Sequence, residues 1–164
     1  MQLIFPSEEG VQMSVYDKLK SMGIQLSDPV APAAAFVMTV RSGNMLFVSG
    51  HIAKRDGKAW SGQLGAELAT QEGKQAARQA AIDVVATMHH ALGDLNKVRR
   101  IVKALCLVNS TARFTEHHLV ANGASELLQD LFGEKGKHAR SAIGVAQLPL
   151  GACFEIELIA EVTD

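Results

Sequence analysis

The sequence predicts a single α+β domain, a mixed β-sheet with two main helices on one face. Three observations predict it. Five runs (FVMTV, MLFVSGHI, RIVKALCLV, SAIGVAQL and ACFEIELIAEV) are rich in β-formers and bounded by turn residues. Two longer stretches repeat apolar residues at spacings of three and four. The order along the chain is β-β-α-β, then α-β-β, so each helix links two strands and offers one apolar stripe to the sheet.

The elements follow in order. Residues 1–13 read as an N-terminal extension and residues 14–164 as the domain. The extension carries acids and no basic n-region, unlike a secretory signal. Ser14 is placed to cap a short helix, VYDKLKSMG, ending at Gly23. Asp28 to Ala35 contains two prolines and reads as an extended connection. FVMTV and MLFVSGHI flank Arg-Ser-Gly-Asn, a hairpin signal, and KRDGK supplies another turn. From Ala66 to Leu92 the stripe Ala77, Ala81, Val84, Met88 and Leu92 predicts a helix that stops at Gly93. Ala76, Ala77, Ala80 and Ala81 let it lie close to the sheet. A second helix follows Phe114-Thr115-Glu116, with Leu119, Ala124, Leu127, Leu128 and Leu131 as its stripe. The last two strands are joined by Leu-Pro-Leu-Gly and read as a hairpin.

In FEIELIAEV, period two sends Phe154, Ile156, Leu158 and Ala160 towards the helices and Glu155, Glu157, Ile159 and Glu161 the other way. No third layer of helices is available for that second face, which also takes Val145, so oligomerisation through it is expected.

Bulk properties restrict the function. The 164 residues are 48% hydrophobic and 20% charged, with a formal net charge of −1. That balance carries no electrostatic footprint for nucleic acid. The basic group Lys97, Arg99, Arg100 and Lys103 reads as a solvated strand edge. No apolar run is long enough to span a bilayer. Cys106 and Cys153 sit in apolar runs without metal-ligand spacing, so buried free thiols in a cytoplasmic protein are expected, with no metal and no disulfide. His89-His90 and His117-His118 are sequence neighbours, which a helix directs about 100° apart, unsuited to one shared ion. No GxGxxG or P-loop pattern is present, and no cofactor is expected.

Four places can carry chemistry. Arg140 opens a strand after the GEKGKHA segment, and its planar fork suits a carboxylate. Glu155 lies on the face assigned to the oligomer contact, where a carboxylate is costly unless it has work to do, such as orienting a water or taking its proton. Ser49-Gly50 ends a strand, where glycine permits close approach of a ligand to the backbone. Asn122-Gly123 lies near the start of the second helix and reads as a cap or local irregularity. If the last hairpin turns at Leu148 to Gly151, Gln147 pairs with Ala152 and Glu155 faces Gly144, four residues or roughly 13 Å from Arg140. A site holding both Arg140 and Glu155 is therefore expected to draw on a neighbouring subunit.

Two segments carry a resemblance. GNMLFVSGHI resembles the Rid family's strand motif, a Gly-Asn pair before a strand ending in Ser-Gly. HARSAIGVAQLPLGACFEIELIAEV resembles the same family's C-terminal signature of Ala-Arg-Ser, an LP turn and an EIE-type strand. The resemblance to this family (the YjgF or endoribonuclease L-PSP group) runs from Ala31 to Val162. It implies a chorismate-mutase-like fold, a homotrimer whose sheets form an inner barrel, and clefts between subunits that bind small carboxylates. Characterised members hydrolyse 2-imino acids to 2-oxo acids and ammonia without metal or cofactor. By position, Arg140 matches the arginine that grips the carboxylate, Glu155 the acid that positions water, Ser49 and Gly50 the strand-end contacts, and Asn122 the helix asparagine near the site. Ala142 stands where the family often has cysteine, and Phe36 where a tyrosine often lines the cleft. The resemblance thus implies imine hydrolysis or, with those polar groups lost, a carboxylate-binding or chaperone-like homologue. A ribonuclease rests mainly on the family's older name.

Overall fold

The computed structural model describes residues 13–28, 32 and 34–164. The expected N-terminal extension lies outside them apart from Met13, and so does half of the proline-containing connection. The first described element is α1 (Val15–Ser21). Its capping box is complete: the Ser14 hydroxyl accepts from the Asp17 N–H, and the Asp17 carboxylate accepts from the Ser14 N–H and hydroxyl.

The strands are β1 (Thr39–Ser42), β2 (Met45–Ile52), β3 (Lys54–Arg55), β4 (Lys58–Ala59), β5 (Val98–Asn109), β6 (Ala139–Val145) and β7 (Phe154–Val162). The two long helices are α2 (Thr70–Leu92) and α3 (His117–Phe132). Gly43-Asn44 closes the β1–β2 hairpin, and Asp56-Gly57, both at positive φ, closes the small β3–β4 hairpin. The main sheet has five strands in the order β1-β2-β7-β5-β6. All neighbours are antiparallel except β5 and β6, which run parallel across the α3 connection.

That order corrects the expected last hairpin. β6 and β7 are consecutive in the chain yet do not pair, because β5 lies between them. The chain leaves β6, turns through a 3-10 segment at Pro149–Gly151, and enters β7 on the far side of β5. Glu155 therefore lies opposite Leu107 of β5 and Ile52 of β2, not Gly144. The LP turn looks local in sequence, but a parallel strand needs a crossover, and α3 supplies one.

The core fills one side of the sheet. Phe154, Ile156, Leu158 and Ala160 are at most 1% exposed, as their period-two spacing demands. Ala77, Ala81, Val84, Met88 and Leu92 of α2 are all buried against them. Helices α2 and α3 cross at a glycine: a Cβ on Gly123 would collide with the Lys74 carbonyl, so Gly123 is the helix-crossing contact rather than a cap. In α3 the buried stripe runs Val120, Ala121, Ala124, Leu127, Leu128 and Leu131. Leu119, expected there, is one position off that face and is 39% exposed.

The opposite face is uncovered in the single chain. Phe47 lies across from Ile159, Leu105 from Glu157, and Leu107 from both Glu155 and Ile143. Phe47 and Ile143 are 43% and 48% exposed, so apolar side chains are left in water along this face. Among the described residues no helix is long and apolar enough to cross a membrane.

Candidate functional site

The site residues fall into two groups at opposite sides of the sheet. The first surrounds Arg140 on the edge strand β6. Arg140 pairs with Ala104, which is fully buried, so the pleat turns its side chain to the helix side. There α3 receives it. One Nη1 hydrogen goes to Asn122 Oδ1 at 3.0 Å, the other to Ser125 Oγ at 3.0 Å, and Nη2 donates to the His118 carbonyl at 3.1 Å. Residues 118, 122 and 125 share one helix face by their spacing of four and three. Three of the five guanidinium N–H groups are thus committed, leaving Nε–H and one Nη2 N–H without an acceptor among the described residues. Both are charged donors of the kind a carboxylate accepts from.

Ala142 follows on the same side of β6 and is half-buried, with a methyl group packed against the core. Beneath it on β5 is Cys106, whose thiol burial pushes up to about 12 while Arg140 pulls it the other way. Cys153 is pushed up to about 11 by burial. Both thiols are free and buried, and neither is set up as a nucleophile.

The second group surrounds Glu155 on β7. Ser49 and Gly50 lie in β2 where the register with β7 slips between Val48 and His51. The Ser49 hydroxyl donates to the Val37 carbonyl at 2.7 Å, tying β2 to the segment that carries Phe36, itself 48% exposed. A Cβ on Gly50 would collide with the Glu155 carboxyl, so the glycine makes room for that acid. Burial, with Glu157 beside it as a second negative charge, holds the Glu155 pKa above the ordinary glutamate value. Behind this group burial lowers the His51 pKa, and its ring nitrogens face the Ser49 carbonyl at 2.7 Å and Thr87 Oγ1 at 2.8 Å.

The single chain keeps these groups apart. Strands β7 and β6 are separated by β5, roughly 10 Å at ordinary strand spacing, and Glu155 and Arg140 leave the sheet on opposite faces. Arg140, Asn122 and Ala142 form one cluster; Ser49, Gly50 and Glu155 form the other, with Phe36 next to the residue whose carbonyl Ser49 holds.

Two features were not legible in the sequence. The His138 ring bonds Ser125 and the Gly136 carbonyl next to Arg140. Ser110 Oγ lies 2.9 Å from His117 Nε2, and both crowd Gly144, where an added Cβ would sit 2.6 Å from that nitrogen. Neither pair has a motif spacing that announces it.

The family model described as "YjgF/chorismate mutase-like, putative endoribonuclease" matches residues 17–162. The chain is similar to "Protein TCP17" of Trypanosoma cruzi, 49% identical over 148 residues, covering 89% of this chain and 92% of that one. Among solved structures it is similar to the protein Atu1372 of Agrobacterium tumefaciens, described as having unknown function, at 40% identity and TM-score 0.83, covering 91% of this chain and 92% of that one. It is also similar to a "putative endoribonuclease" of Shewanella oneidensis, at 29% identity and TM-score 0.88, covering 92% and 100%.

Proposed function

The chain belongs to the YjgF/L-PSP (Rid) family, and we propose that it hydrolyses reactive 2-imino or enamine acids to 2-oxo acids and ammonia in a cleft between subunits. The observation that carries this reading is Arg140: fixed by three acceptors from α3, it keeps two N–H donors for a ligand carboxylate. Three copies packed through the open sheet face would bury Phe47, Ile143 and Ile159 and complete the site, with Arg140 from one subunit and Glu155 from the next. Two buried, unactivated thiols suit a reducing cytoplasm.

In this mechanism Arg140 clamps the carboxylate, and the backbone at Gly50 gives the ligand room beside Glu155. A carboxyl whose pKa is raised by burial is a better base towards water than an exposed one. Water adds to the imine carbon while Glu155 takes one of its protons and passes it to the imine nitrogen, giving a carbinolamine. The remaining hydroxyl proton then passes through Glu155 to the nitrogen as the C–N bond breaks, which leaves a C=O bond and ammonia. No oxidant, metal or cofactor enters the balance. Positioning supplies most of the effect.

The test is release of ammonia and 2-oxo acid from freshly generated 2-iminobutanoate. A rate above the spontaneous one, lost in Arg140→Ala and in Glu155→Gln, supports the reading. No acceleration by the folded oligomer overturns it.

A second reading is a carboxylate-binding module without turnover, favoured by Ala142, which presents a methyl group where relatives often have a thiol. Saturable binding of 2-oxobutanoate with no acceleration of imine loss would select it. RNA cleavage, the activity in the descriptions of several relatives, is opposed by the net charge of −1.

A further inference from the structure

One of the three acceptors that hold Arg140 is ambiguous by nature. Asn122 Oδ1 and the His118 carbonyl can only accept, but the Ser125 hydroxyl can donate as well. Its direction is set by a neighbour that the mechanism above does not use. His138 lies two residues before Arg140, at the entrance to β6. Its Nδ1 is 2.7 Å from the Gly136 carbonyl, an obligate acceptor, so Nδ1 carries the proton. Burial holds the ring pKa below the ordinary imidazole value, and the charge of Arg140 adds to the effect. Nε2 is therefore bare at neutral pH. It lies 3.0 Å from Ser125 Oγ and takes the hydroxyl proton. The Ser125 lone pairs are then left to face Arg140 Nη1, also at 3.0 Å.

We propose that His138 and Ser125 are positioning residues for Arg140, a relay running from the Gly136 carbonyl through His138 and Ser125 to the guanidinium. The relay fixes the plane of the fork and aims its two uncommitted N–H groups at the ligand. The Gly136 turn is itself anchored, because a Cβ there would strike the Leu128 carbonyl of α3. The relay thus starts on backbone packed against α3 and reaches the guanidinium through a side chain of α3 itself. Ser125 is 8% exposed, so no water competes freely for its hydroxyl. Neither residue touches the ligand; both act through Arg140.

This inference rests on the reading that Arg140 grips a carboxylate, and the experiment separates the two. Binding of 2-oxobutanoate to the assembled protein is measured by calorimetry for wild type, Arg140→Ala, Ser125→Ala, His138→Asn and the double variant Ser125→Ala/His138→Asn. In the same proteins without ligand, hydrogen exchange of the Arg140 side-chain N–H groups is followed by NMR. His138→Asn is chosen because an asparagine amide can still donate to the Gly136 carbonyl while offering Ser125 nothing at the Nε2 position. Thermal unfolding checks that each variant is folded.

The relay predicts that Ser125→Ala and His138→Asn each weaken binding about ten-fold, the loss of one charge-assisted hydrogen bond. The double variant is expected to bind no more weakly than Ser125→Ala alone, since His138 acts only through the hydroxyl. Exchange at the Arg140 Nη1 hydrogens is expected to quicken in both single variants. The relay is overturned if Arg140→Ala abolishes binding while both single variants bind as wild type, or if their losses multiply in the double variant. If Arg140→Ala binds as wild type does, the carboxylate reading fails instead. The arginine exchange then decides the relay alone: faster exchange in His138→Asn upholds it as the device that holds Arg140, and unchanged exchange removes it.

Discussion

At the edge of the sheet, Arg140 gives three N–H groups to acceptors on α3; in its middle, Glu155 has no hydrogen-bond partner among the described residues, and its pKa is raised by burial and by Glu157. The cation is held rigidly and half-satisfied, whereas the anion is confined by packing and left unsatisfied. In the proposed function the clamp needs a fixed plane to recognise a carboxylate, and three acceptors on α3 fix it. A base needs the opposite: an environment that stabilises its charge poorly, so that it will accept a proton. Under the proposed function the contrast is between recognition and reactivity, built on two faces of one sheet.

The largest expected effect comes from removing the rigid end. Arg140→Ala deletes two charge-assisted hydrogen bonds to the ligand, about 3 kcal/mol, and should weaken 2-oxobutanoate binding roughly a hundred-fold by calorimetry. Comparable affinity would mean that the fork is structural, and the contrast with Glu155 would collapse.

The next effect acts through the helix that holds the fork. Gly123→Ala places a Cβ against the Lys74 carbonyl, a backbone atom that cannot swing aside, so α2 and α3 must separate. A loss of about 2 kcal/mol in chemical denaturation is expected, as for other overpacked contacts. Because Asn122 and Ser125 move with α3, ligand affinity should fall too. Normal affinity in this variant would show that the Arg140 end does not depend on where α3 sits.

How far the sequence could take these assignments differs between the two ends. The alternation in FEIELIAEV places Glu155 away from the core, and the four core residues of that strand are at most 1% exposed. Period two is a local property, so it is readable. The α2 stripe is readable for the same reason. Arg140 is different. Its face depends on pairing with β5, set by a parallel crossover, and the LP turn suggests a hairpin that does not form. Its partner His138 reaches Ser125 across the turn that ends α3, a contact no periodicity encodes. Leu119 shows the smaller version of this limit: one residue of helical phase moves it from the expected core to the surface.

A third change probes the reactive end with little structural cost. Gly50→Ala directs a Cβ at the Glu155 carboxyl, the far end of a flexible side chain, and Gly50 has no positive φ to strain. Stability should change by less than about 1 kcal/mol, while turnover of 2-iminobutanoate falls at least about ten-fold as the acid is pushed aside. Full turnover would show that the room beside Gly50 is not used.

The smallest effect is one of stability against pH, and it has the sharpest sign. Glu155 has a folded pKa above its unfolded value, so the folded state binds its proton more tightly than the unfolded state does. Below the unfolded pKa the acid is protonated in both states and carries no penalty. As pH rises through the folded pKa, the folded protein must ionise a half-buried group, and stability is lost. Glu155→Gln removes that group. Its melting temperature should exceed that of wild type at neutral pH, and the gap should close on acidification through the carboxylate range. A variant less stable than wild type at neutral pH would mean that the carboxylate is satisfied after all, for instance by a cation from the neighbouring subunit. The two ends of the site would then be joined by a salt bridge, with no base set free between them.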